Sequence, residues 1–128
     1  MLISTTQVVY GFFIILTLTS NYGFVLGEID QPGDHHFFGL LFTTALNGTA
    51  IWLKFRDQSE IANLMIASGL VAILQLMLAT AIGFFSLYST GAAMSTDSTV
   101  AIVSLASGAL LANLVAVTAF VVNTLKRE

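Results

Sequence analysis

The chain has 128 residues, of which 56% are hydrophobic and only 9% charged, with a net charge of −3. Soluble domains carry about 25% charged residues, and a soluble fold this poor in charge would expose aggregating apolar patches, so the composition points to a bilayer. The absence of cysteine excludes disulfides, thiol catalysis and Cys-based zinc or iron–sulfur centres, and the scarcity of basic residues argues against nucleic acid as a partner.

A helix needs about 20 residues to cross the hydrocarbon core, and four apolar blocks approach or exceed that length. The pattern predicts spans over about 3–27, 36–53, 61–88 and 99–125. The expected fold is all-α: a single domain over 1–128, an integral membrane bundle of four transmembrane helices. The first block lacks the basic flank and small-residue cleavage site of a signal peptide. The run Gly27-Glu28-Ile29-Asp30-Gln31-Pro32-Gly33-Asp34 then breaks the first hairpin. Asp57, with Glu60 three residues on, matches a capping box for the third helix. After the polar loop Ser89 to Thr96, Asp97 or Ser98 is expected to cap the fourth.

All four basic residues, Lys54, Arg56, Lys126 and Arg127, follow the second or the fourth block. With four spans these places share one side, and the positive-inside rule makes it the cytoplasm, with both termini there. The first loop, with Glu28, Asp30 and Asp34, and the third, with Asp97, then lie outside. Trp52 and Tyr88 sit near predicted span ends, as interfacial aromatics do.

Helices in lipid associate through close backbone approach. Ser104, Gly108, Ala112 and Ala116 recur every four residues, Thr19, Gly23 and Gly27 contain a GxxxG, and Thr44 with Gly48 and Ala79 with Gly83 are shorter versions. These faces suit packing within one bundle or against another subunit. Asn47, Gln75 and Asn113 fall near the middle of their spans, while Asn21 lies further out on the first. An amide in hydrocarbon needs partners. The three central amides are read either as an interhelical hydrogen-bond layer or as a polar constriction lining a path. Asn47-Gly48-Thr49 matches the glycosylation pattern but falls inside a span.

Glu28, Asp30, Asp34, His35 and His36 crowd the first loop. Carboxylates and imidazoles ligate metals, which makes Asp34, His35 and His36 weak metal candidates, although adjacent histidines rarely hold one ion together. The expected state is a solvated acidic turn. No acidic residue lies at the membrane centre, unlike small four-span multidrug transporters, and no histidine is placed to ligate haem. No catalytic residue and no cofactor are therefore expected.

The stretches Tyr10-Gly11-Phe12-Phe13-Ile14-Ile15-Leu16, Gly27-Glu28-Ile29-Asp30 and Trp52-Leu53-Lys54-Phe55-Arg56-Asp57 resemble a family of uncharacterised small bacterial inner-membrane proteins. The similarity continues from Ala67 to Leu78, covers roughly the first two-thirds of the chain, and weakens in the last span. The family is similar in setting to proteins linked with potassium uptake by Trk/Ktr-type systems. The resemblance implies location in the bacterial inner membrane. Together with the smooth helix faces it leads to the expectation of a non-enzymatic accessory subunit in a cation (potassium) transport setting, working as a homo-oligomer or with a larger membrane-protein partner. Two alternatives stand beside it: an autonomous homo-oligomeric channel lined by the amides, and a metal-assisted enzyme using the outer loop.

Overall fold

The computed structural model describes residues 5–55, 60–90 and 95–126. Arg56, Asp57 and Arg127 lie outside the described residues, and with them the expected capping box and part of the basic clusters. Four helices follow one another: α1 (Thr5–Val25), α2 (Phe37–Lys54), α3 (Glu60–Thr90) and α4 (Thr96–Lys126), with a 3-10 turn at Pro32–Asp34. Each packs on its neighbours in sequence and α1 closes on α4, with α3 and α4 the most extensively paired. Contacts of Tyr10 with Phe120 at one end, and of Phe24 with His35 at the other, are those of antiparallel neighbours.

The expectation of four membrane-crossing helices is corrected. Three of the described helices, Thr5–Val25, Ile61–Ser89 and Thr96–Lys126, are long and apolar enough to cross a membrane. The chain is thus membrane-like by composition. Helix α2 stands at the short end of the range for a span and is less apolar than the other three. Its 18 residues extend ~27 Å at ~1.5 Å per residue, under the ~30 Å of a typical core. Thr43, Thr44, Asn47, Gly48, Thr49 and Lys54 dilute its apolar content.

The first hairpin is built on Gly27, whose φ of 98° is a left-handed conformation glycine adopts without penalty. A Cβ there would lie 2.7 Å from Asp34 Cβ. The Glu28 N–H donates to Asp34 Oδ2 at 2.9 Å, tying the two ends of the turn together. The start of α4 departs from expectation. Ser95, not Asp97 or Ser98, supplies the cap: its Oγ accepts from the Ser98 N–H at 3.1 Å. Asp97 sits in the first turn, where its charge meets the positive end of the helix dipole.

The core falls into two apolar clusters. One, toward the His35 end, contains Phe24, Leu40, Leu76 and Ile102 among small alanines. The other, toward the Lys54 end, contains Tyr10, Ile14, Met65 and Ala116. The buried face of α4 runs through Thr99, Ile102, Ala106, Ala109, Asn113, Ala116 and Ala119. The expected four-residue stripe does not stay on it: Ser104 is exposed, Gly108 and Ala112 half-buried, and only Ala116 buried. Residues four apart turn by about 400°, so each step drifts about 40° around the helix, whereas alternating steps of three and four stay on one face. The Thr19–Gly23 face of α1 is likewise exposed, and a Cβ at Gly23 would meet nothing within 4 Å.

Hydroxyls along the helices are satisfied locally. Those of Thr17, Thr44, Thr49, Ser68, Thr80, Ser107 and Thr118 donate to the carbonyl four residues earlier, at 2.7 to 2.9 Å.

Candidate functional site

Buried polar groups run along the bundle, from His35 and Thr99 at one end through Asn21, Asn47 and Asn113 to Lys54 at the other. Asn21 on α1 is fully buried. With its amide turned so that nitrogen meets acceptor and oxygen meets donors, its Nδ2 donates to Ala106 O at 3.0 Å. Its Oδ1 accepts from Asn113 Nδ2 and from the Leu110 N–H, both at 3.1 Å. One side chain thus bonds both the backbone and a side chain of α4. On the opposite pair of helices, Asn47 Nδ2 donates to Gly69 O at 3.1 Å, joining α2 to α3. Gly69 permits that approach: a Cβ there would lie 2.8 Å from Ile51 Cγ1. Higher up, the hydroxyls of Ser20 and Thr43 meet at 2.6 Å, linking α1 to α2.

The three central amides do not form one layer. Asn47 and Asn113 line the same small cavity. Gln75 lies elsewhere, half-buried on the α3–α4 seam, where Gly108 makes room for it: a Cβ at Gly108 would be 2.5 Å from Gln75 Nε2. Asn113 instead pairs with Asn21. Depth counted from helix ends misplaced Asn21 because α4, with 31 residues, outruns α1, with 21.

The cavity measures about 10 Å³ and draws its lining from all four helices, including Tyr10, Thr17, Asn47, Lys54, Gly69 and Asn113. Lys54 is the residue that sequence reasoning missed. It was read only as a topology marker, yet it is 7% exposed, and its Nζ lies 4.7 Å from the centre of the Tyr10 ring. Two favourable terms hold it there: the ring quadrupole and the negative end of the α2 dipole. Its position in the last turn of α2 was visible in the sequence; the Tyr10 ring facing it was not. The other described basic residue of the expected topology set, Lys126, is exposed in the last turn of α4.

In the loop between α1 and α2 the acidic residues Glu28, Asp30 and Asp34 are exposed, as expected of a solvated turn, and His35 is the exception. His35 is 1% exposed. Its Nδ1 lies 2.6 Å from Phe24 O and its Nε2 2.8 Å from Glu28 O. Carbonyl oxygens only accept, so a ring nitrogen must carry a proton to bond the carbonyl it faces, and which of the two does so follows the tautomer. Asp34 is engaged by the Glu28 N–H, and His36 is exposed, its carbonyl accepting from the Gly39 N–H at 2.9 Å. Among the described residues, no group of three His, Cys, Asp or Glu could hold a metal ion. A larger open groove of about 440 Å³ lies on the outer face of α3 and α4, lined by Leu64, Leu114, Val115 and Val122, and presents no chemistry beyond the Thr118 hydroxyl, already bonded to Leu114 O.

Fold and site define a small helical bundle, membrane-like in composition, with an amide-pinned centre and a lysine in its wall. The chain belongs to the family of unknown function DUF6394, whose match covers residues 34–124. That match takes in α2, α3 and nearly all of α4, while stretches 10–16 and 27–30, two of those that carry the resemblance, lie before it. No similar protein was found among curated proteins, and no similar fold among solved structures.

Proposed function

We propose that the protein is a non-enzymatic membrane subunit that works with another membrane protein, as an accessory of a cation transport system, rather than as a pore by itself. The observation that supports this most is the state of the bundle axis. Asn21, Asn47 and Asn113 are engaged in helix–helix hydrogen bonds, the space left beside them is about 10 Å³, and Lys54 stands in its wall. So narrow a space, walled by side chains already engaged between helices, offers no path for a hydrated ion. The transport setting rests on the resemblance to proteins linked with potassium uptake.

In this reading α2 is embedded with the other helices. Connectivity supports it: α1 and α3 both begin at the Lys54 end, so the chain must return through the bundle between them, and α2 is that return. Both termini then share the side of Lys54 and Lys126, which the positive-inside rule makes the cytoplasm of a bacterial inner membrane.

The experiment is the mass and composition of the native complex, extracted gently from its own membranes. A larger transport protein in fixed ratio is the expected result. A homo-oligomer that conducts ions in liposomes would overturn it.

A second reading, the homo-oligomeric channel, draws on Gln75, whose Oε1 is buried without a partner on the α3–α4 seam. Replacing Asn47, Gln75 and Asn113 by Leu would then abolish flux while assembly persisted.

A further inference from the structure

The cavity between the four helices contains one need that the side chains around it leave unmet. Asn47 is 1% exposed, its Nδ2 is used on Gly69 O, and its Oδ1 is buried with no hydrogen-bond partner. A buried acceptor left empty forfeits the hydrogen bond it would make with water. An internal water requires roughly one probe sphere of room, ~10–15 Å³, and two to four polar partners. The space beside Asn47 is about 10 Å³, and Thr17, Asn113 and Lys54 share its wall. We propose that this cavity is a binding site for a single water molecule, which donates to Asn47 Oδ1.

Size and charge sort the occupants. The volume accommodates one oxygen-sized atom and excludes any organic ligand. A bare metal cation takes about six or more oxygen ligands, more than Asn47 and Thr17 supply, and a small anion would face the lone pairs of Asn47 Oδ1. Water suits the site, because it donates to one group and accepts from others. Its second hydrogen has an acceptor in the Thr17 hydroxyl oxygen, whose own proton is given to Phe13 O at 2.7 Å. Toward the His35 end the buried polar groups Asn21 and Thr43 are already bonded, to α4 and to Ser20. The site is independent of whether the protein serves a transporter.

Water-selective NOE spectroscopy of methyl-labelled protein in nanodiscs tests this. Ala50 and Ala116 are buried in the cavity wall, whereas Ala67 is exposed on the outer face of α3. Cross-peaks from water to the Ala50 and Ala116 methyls, with none to Ala67, are expected in the wild type. Asn47→Leu removes the acceptor and Ala50→Val fills the space; each should eliminate the cross-peak to Ala116. A folded wild type with no water contact at Ala50 and Ala116 overturns the proposal, whatever becomes of the variants. Persistence of the cross-peak in folded Asn47→Leu overturns Asn47 as the anchor.

Discussion

Asn113 on α4 donates to Asn21 on α1 across 3.1 Å, and the same Asn21 bonds the α4 backbone at Ala106 and Leu110. Helix α1 is therefore held to α4 by a side chain that occupies a specific rung of the α4 ladder, which fixes their register. Apolar packing alone would let two smooth helices slide by a turn.

Asn21→Leu removes three hydrogen bonds and strands the Asn113 amide in the core. It is expected to destabilise the bundle by about 1–3 kcal/mol, read as a lower unfolding midpoint in detergent titration. The double variant with Asn113→Leu should recover part of that loss. A coupling energy within ~0.6–1.7 kcal/mol is expected from interhelical bonds in membrane proteins.

Tyr10→Leu removes the ring beneath Lys54, while Tyr10→Phe keeps it. Leu at this position should lower stability by about 1–2 kcal/mol more than Phe does, since a desolvated cation–π contact is worth up to about 2 kcal/mol. Thermal unfolding of the two variants side by side checks this. Equal midpoints would assign the burial of Lys54 to other partners.

His35→Ala leaves the carbonyls of Phe24 and Glu28 without their ring partners and empties a buried site. The expected outcome is a loop that opens locally while the helices stay packed. Limited proteolysis should cut between Gly27 and His36 several-fold faster than in the wild type, with unchanged helical circular dichroism.

Two glycines should behave oppositely when changed to alanine. At Gly83 a Cβ would lie 2.5 Å from the Phe37 ring, whereas at Gly23 it would meet nothing. Gly83→Ala is expected to destabilise by about 1–3 kcal/mol through overpacking. Gly23→Ala should be neutral or stabilising by up to about 1 kcal/mol, from helix propensity. Unfolding midpoints of the two variants separate the cases.

The four helices and their turns were legible because run length and turn chemistry are local properties. Gly27, Pro32 and Asp34 stop α1 by backbone preference alone. What the sequence did not disclose depends on neighbours. Lys54 reads as a solvent-facing residue at a helix end until Tyr10 is placed beside it. His35 reads as a surface residue until two backbone carbonyls converge on its ring. The amide layer was half visible: Asn47 and Asn113 do share a cavity, but Gln75 points to the α3–α4 seam and Asn21 takes its place as the bonded partner. The shortness of α2 was countable in advance, and only its apolar ends made it look like a full span.

The back-bonded hydroxyls of Thr44, Thr49, Ser68, Thr80 and Thr118 carry a consequence for biogenesis. Each is quenched by its own helix, so its need is met before any neighbour arrives. Asparagine cannot be silenced so readily within its own turn. Residue type thereby divides the labour: a hydroxyl is answered within its own helix, whereas Asn21, Asn47 and Asn113 find their partners only on another.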